Sequence, residues 1–339
     1  MIPYPTQAKR TIFITIGLVS AIIVTFFLSL NWGTIKIAPI DVLQAFAGKG
    51  TEQNMIVLFD FRLPRMVIAM LIGAGLAVSG AILQGVAQNG LADPGILGIN
   101  SGAGLAVVLF IFFFQQNLNL PVSYSIFIMP FAALLGACLA AFLIYVIAWK
   151  KGGVTPTRLI LVGIGINSAF SALIIVFQLK MDPQDFMQAT IWLSGNIGGT
   201  DWTYVLAILP WILILIPFAI YKARYLNVLT MGDSIAKGLG TDVEKERRKF
   251  LLISVALAGA CVSVGGGIAF LGLVAPHLTR MLVGPRHERL IPISALVGAF
   301  LLLFSDMLAR NVLAPSEIPV GLVVSALGAP YFIYLLIKS

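Results

Sequence analysis

Three arginines and one polar stretch hold most of the chemistry this chain can offer. Arg62 and Arg65 flank Leu63-Pro64 directly ahead of an apolar run, and Arg310 closes another. A guanidinium at the mouth of an apolar segment is costly to leave alone, so each of the three needs a reason for its place. One reason is local: Asp60 is close enough in sequence to pair with Arg62 or Arg65, and Asp306 lies one helical turn before Arg310. The polar stretch, Leu226 to Phe250, reads LNVLTMGDSIAKGLGTDVEKERRKF. Asp233 or Ser234 can cap a short helix whose apolar face carries Ile235 and Leu239, and Gly238 and Gly240 stop it. Thr241 and Glu244 have capping-box spacing, so a second helix starts there and continues through Lys245, Arg247, Arg248 and Lys249. Enzymatic chemistry is poorly served. His277 follows Pro276 with no cysteine or carboxylate beside it, His287 sits in a basic loop, and no nucleophile–base set falls within the apolar runs. The phosphate loop G-x-x-x-x-G-K-[ST] is absent, so the chain does not bind ATP in that way.

The elements that must position these groups are membrane spans. The 339 residues are 59% hydrophobic and 11% charged, with a mean hydropathy of +0.99. That much apolar surface cannot be hidden in a soluble fold, so an all-α polytopic membrane protein is expected. The 33 glycines suit close helix–helix contact in lipid. Cys138 and Cys261 both fall inside apolar segments, which argues against a disulfide framework. About ten spans can be drawn: 11–30, 66–86, 95–114, 126–149, 159–179, 202–221, 251–267, a run broken by Pro276 and ending near 283, 291–308, and 319–337. The first is too long for a signal-peptide core and is expected to be retained. With the N-terminus inside, 16 of the 22 basic residues fall on the inner side. The other six are Lys36, Lys49, Arg62, Arg65, Lys180 and Arg310. The net charge of +8 is therefore a topology signal rather than a nucleic-acid one, and both termini are expected in the cytoplasm. Leu226–Phe250 then faces the cytoplasm, either as a docking surface of two short helices or as a basic loop held at anionic headgroups.

An internal repeat supports one transmembrane domain, 1–339, made of halves at about 1–200 and 201–339. AVSGAILQGVAQNGLADPGILG, from Ala77, parallels CVSVGGGIAFLGLVAPHLTRMLVG, from Cys261. Gly136-Ala137 parallels Gly298-Ala299, and Val162-Gly163 parallels Val320-Gly321. Five spans per half, an odd number, force the halves into opposite orientation, which is the inverted-repeat plan of transporters.

The motifs together resemble those of the FecCD permeases, the membrane subunits of ATP-driven importers for iron–siderophore, haem and cobalamin. The residues carrying the resemblance are RLPR at 62–65, GAGLAVSGAILQ at 73–84, NGLADPGILGINSGA at 89–103, GDSIAKGLG at 232–240, FLGLVAPHLTR at 270–280 and EIPVGLVVSALGAPYFIYLL at 317–336. One departure is NGLADP where the family usually has NPLA. The resemblance implies a ten-span type II importer permease in the bacterial plasma membrane. It also implies a second permease chain, identical or a sister, a cytoplasmic ATPase dimer that binds ATP and Mg, and an extracytoplasmic binding protein. By the resemblance Arg62, Arg65 and Arg310 dock the binding protein, the alternative being the local pairing above. Gly232, Asp233, Ile235, Ala236, Leu239 and Gly240 couple to the ATPase, with Ile235, Ala236 and Leu239 in its cleft and Lys245 to Lys249 near lipid. The fifth and tenth spans line the path, where Asn167, Ser168, Ser171 and Ser325 are the polar groups; ordinary helix–helix hydrogen bonding is their alternative use. No catalytic, cofactor or metal site is expected in this chain. With no ligand cluster to hold a bare ion, iron is expected to cross already wrapped in a chelator.

A secondary, ion-coupled transporter would show carboxylates buried in mid-span, whereas all 14 acidic residues here can be placed in loops or near span ends. An iron(III)–siderophore complex is the expected cargo, with haem and cobalamin as the alternatives within the family.

Overall fold

Ten apolar helices run through a computed structural model of the chain, which describes residues 4–33, 37–95, 97–114, 122–150 and 153–338. Lys36 and Lys151, both used in the charge count, lie outside the described residues. Helix α1 is Tyr4–Asn31. Three short pieces follow: α2 (Pro39–Phe46), α3 (Glu52–Ile56) and a π-helical turn, Val57–Arg62, which feeds without a break into α4 (Leu63–Val86). Next come α5 (Ile99–Phe114) and α6 (Val122–Ala148). A two-stranded antiparallel hairpin pairs Trp149 with Val154 and leads into α7 (Pro156–Gln178). Helices α8 (Pro183–Leu193) and α9 (Trp202–Leu229) begin at Asp182 and Asp201, whose carboxylates accept from the first free backbone N–H groups. The chain closes with α10 (Asp233–Gly238), α11 (Val243–Gly265), α12 (Leu271–Val283), α13 (His287–Asn311) and α14 (Val320–Lys338).

Seven of these helices are long and apolar enough to cross a membrane, and three shorter apolar ones, α5, α12 and α14, occupy the remaining expected spans. Burial sorts them into layers. Of the most apolar stretch of each, 78% is buried for the segment containing α4, 72% for α11 and 67% for α13, against 6% for α1 and 17% for α7. Helix α4 is the axis of the molecule, packing on α9, α11, α12 and α13. All four lie in the second half by sequence, so the halves interleave rather than stand side by side. The contacts are backbone-close. A Cβ at Gly73 would lie inside the van der Waals shell of the Gly298 carbonyl, and one at Gly80 inside that of Gly272.

One expectation needs correction. Pro276 does not break its span: α12 runs through it, and the interruption lies earlier, between Gly265 and Leu271. A proline in a helix leaves the carbonyl four residues back without a donor, here that of Gly272. Gln84 of α4 supplies one, its Nε2 donating to Gly272 O at 3.3 Å, while its Oε1 accepts from Arg280 at 3.0 Å. The helix continues because a neighbour satisfies the group that proline strands.

Candidate functional site

The three arginines converge although they are far apart in sequence. Arg62 stands at the end of the π-helical turn, Arg65 in the first turn of α4 and Arg310 in the last turn of α13, and all are at most 9% exposed. Asp306, fully buried one turn before Arg310, is their hub. Its Oδ1 accepts from Arg65 Nε at 2.8 Å and its Oδ2 from Arg310 Nε at 3.1 Å. Arg65 Nη1 also donates to Glu317 at 2.7 Å. Arg310 reaches the hydroxyl of Ser29, and Arg62 the Leu30 carbonyl at the end of α1. The local pairing with Asp306 is present for Arg310, and it extends to Arg65. These three cations and two carboxylates leave one surplus positive charge. Arg62, Arg65, Arg310 and Glu317 line an open cleft of about 220 Å³ with Val57 and Phe61, and Asp306 lies beneath it. Asp306 lies five residues from the end of α13, near a span end as expected, and it is fully buried there. Two guanidiniums hold it as an ion pair, unlike the solitary carboxylate of a proton or sodium site.

The opposite end of the bundle carries α10. Two glycines bracket it, Gly232 at φ 100° and Gly240 at φ 76°, backbone that L side chains rarely adopt. Gly232 is the N-cap, so neither Asp233 nor Ser234 caps the helix; Asp233 is occupied by Arg247 instead. The following helix is capped by Asp242, which accepts from Lys245 N, rather than by a Thr241–Glu244 box. Glu244 turns to the hairpin, accepting from Val154 N at 3.3 Å and from the Tyr145 hydroxyl at 3.4 Å. Ile235 and Leu239 are 54% and 63% exposed and, with Met231, form a small apolar surface. Ala236 is not part of it. It is fully buried beneath the helix, because one face of a single turn must pack to hold the turn in place. Arg247 likewise leaves the lipid-facing set: at 3% exposure it donates to Val154 O at 2.7 Å and grips Asp233. Gln88, just beyond α4, donates to Leu229 O at 2.8 Å and touches Asp233. Since the arginines sit where α4 starts, its 24 residues put about 36 Å between the two ends.

Between the ends lies a cavity of about 310 Å³ in which polar groups stand among Ile174, Leu193, Phe270 and Leu273. Asn167 and Ser171 of α7 face it together with Asp93, Asn100 and Ser101, which the sequence reading had not singled out. Asn100 Nδ2 donates to Ile268 O at 3.1 Å, tying the first turn of α5 to the break before α12. Ser168 is turned away, its hydroxyl bonded to Ile164 O within its own helix, and Ser325 is half-buried on α14. Helix α7 packs on α5 and α6, and α14 on α12 and α13. The missed residues share a cause. Glu317, Arg247 and Asn100 act over 252, 93 and 168 positions of sequence, where spacing carries no signal.

Comparison with known proteins gives a concordant result. The profile of the FecCD transport family matches residues 21–338. The iron(3+)-hydroxamate import system permease protein FhuG of Bacillus subtilis (strain 168) is 64% identical over 318 residues, 94% of each chain. The iron-uptake system permease protein FeuC of the same organism is 43% identical over 322 residues, 95% of this chain and 96% of that one. Among solved structures, a metal-chelate type ABC transporter in an inward-facing conformation superposes with a TM-score of 0.81 at 30% identity, covering 96% of this chain and 98% of that one.

Proposed function

This chain belongs to the FecCD transport family, and on that premise we propose that it is the permease subunit of a binding-protein-dependent importer carrying an iron(III)–siderophore chelate, hydroxamate in class, into the cytoplasm. The observation that carries the cargo is the 64% identity, over 94% of each chain, with an iron(3+)-hydroxamate permease. Haem, cobalamin and ion-coupled transport are not favoured. The chemistry of the interior supports a chelated cargo. The cavity sets the amides of Asn100 and Asn167 and the hydroxyls of Ser101 and Ser171 among apolar side chains such as Ile174, Leu193 and Phe270, a lining suited to a chelate that carries both oxygen and hydrocarbon on its surface.

The remaining roles follow the two ends. The exposed Met231, Ile235 and Leu239 are the surface offered to a cytoplasmic ATPase dimer, which binds the ATP and Mg, and Gly232, Asp233, Ala236 and Gly240 hold that surface in shape. The cleft of Arg62, Arg65 and Arg310 receives an acidic group of the extracytoplasmic binding protein, drawn by the surplus positive charge. Helices α7 and α14 line the path shared with a second permease chain, with Asn167 and Ser171 facing the cavity and Ser168 and Ser325 on the same two helices outside it. Both termini lie in the cytoplasm.

The test is substrate-stimulated ATP hydrolysis and radio-iron uptake by the complete transporter in proteoliposomes. A ferric hydroxamate is expected to stimulate both, and haem and cobalamin neither. Stimulation by haem or cobalamin, with ferric hydroxamates silent, overturns the reading.

A further inference from the structure

Another cavity, of about 270 Å³, opens on the outer side of the bundle near the α10 end. Its floor includes Leu83, Leu97 and Ile144, all at most 4% exposed, and its rim is Phe142 and Leu252, each 64% exposed. The slot is continuous with an exposed stripe along α6, Phe131, Leu135, Leu139, Phe142 and Val146, whose spacing of three and four residues marks one helix face turned to the acyl chains. Its wall is apolar except at one end, where Arg248 and the Tyr145 ring stand. Arg248 is exposed and, among the described residues, makes no salt bridge, while Arg247 and Lys249 beside it are paired with Asp233 and Glu246. Trp149 packs against Tyr145 at 5.5 Å between ring centroids, placing an aromatic pair at the depth of the headgroups.

We propose that this slot is a specific seat for one anionic phospholipid, with an acyl chain lying in the apolar groove and the phosphate on Arg248. Charge complementarity selects the headgroup: a lone guanidinium at the polar border of an apolar slot binds a phosphate by charge-assisted hydrogen bonds.

The experiment is native mass spectrometry of the full chain in its assembled transporter, equilibrated with equimolar phosphatidylglycerol and phosphatidylcholine of matched acyl chains. One phosphatidylglycerol is expected per copy of this chain, retained about fivefold over phosphatidylcholine, the factor expected for one basic residue at an anionic surface. Arg248→Gln is expected to abolish the preference, and Ala141→Trp, which fills the slot, to expel both lipids. Cys138 lines the slot and Cys261 is fully buried, so alkylation of Cys138 by a maleimide should slow in nanodiscs containing phosphatidylglycerol, and this slowing should vanish in Arg248→Gln. Equal retention of the two lipids by the unaltered protein overturns the proposal, as does a preference that survives Arg248→Gln, a surface change that leaves the fold intact. Cross-linking of Cys138 to Cys138 of the second permease copy by a short bis-maleimide would assign the slot to that copy and overturn it too.

Discussion

At the scale of single residues, pairing with Asp306 separates the arginines into two uses. Arg65 and Arg310 are bound to Asp306, and removing one member of a buried pair leaves uncompensated charge at a cost of about 3–5 kcal/mol. Asp306→Asn is therefore expected to lower the thermal unfolding midpoint of the purified protein and its level in the membrane. Unchanged values for both would show that the pairing contributes nothing. Arg62 borders the same cleft and donates to a backbone carbonyl. Arg62→Gln keeps a donor while deleting the charge, so it should preserve stability and weaken capture of the loaded binding protein on the order of tenfold at low salt, converging at high salt. Titration of labelled binding protein against proteoliposomes reads this directly, and equal affinity at low salt removes Arg62 from docking. The i, i+4 spacing made the Asp306–Arg310 pair legible in the sequence. The second half of the clamp was not, because Arg65 reaches Asp306 across 241 positions and the nearer Asp60 is the partner that spacing suggests.

At the scale of elements, the spans were legible because lipid demands long unbroken apolar runs. The short pieces were not: α2, α3, the π-helical turn and α8 owe their form to packing and to caps such as Asp182. Leu226–Phe250 holds one short helix, α10, and not two: the second expected helix is the opening of α11, which runs unbroken from Val243 to Gly265, and the caps differ because Asp233 and Glu244 had better partners elsewhere. Leu239→Asp puts a charge on the exposed apolar face of α10 without disturbing its buried Ala236. The expected result is normal membrane level, loss of uptake and loss of the co-purifying ATPase, from an interface penalty of about 1–3 kcal/mol or more. Uptake at the normal rate would remove α10 from coupling. On the α4–α13 contact, Gly73→Val drives a branched side chain into the Gly298 backbone, and overpacking of this kind costs about 1–3 kcal/mol or more. A drop in thermal stability is expected there, and none for Gly165→Ala, where a Cβ meets open space.

At the scale of the whole molecule, the charge bias makes an orientation that can be checked. In a Cys138→Ser background, Lys180→Cys should react with an impermeant maleimide in intact cells and Lys237→Cys only after permeabilisation; the reverse pattern inverts the topology. The interleaving of the halves was beyond reach of the sequence, because the repeat matches residues by type and says nothing of which partner each will meet. Gly136 and Gly298 are matched in the repeat, yet the first packs on Gly102 of α5 and the second on Gly73 of α4. Helix α10 is the last case of an arrangement that only the structure displays. Arg247 bolts it to the hairpin, and Gln88 bolts it to the foot of α4. If a partner pushes on α10, those two bolts would hand the load to a rod gripped by α9, α11, α12 and α13, and a rod so held would move its arginine-bearing end, about 36 Å away, as a crank moves its far arm.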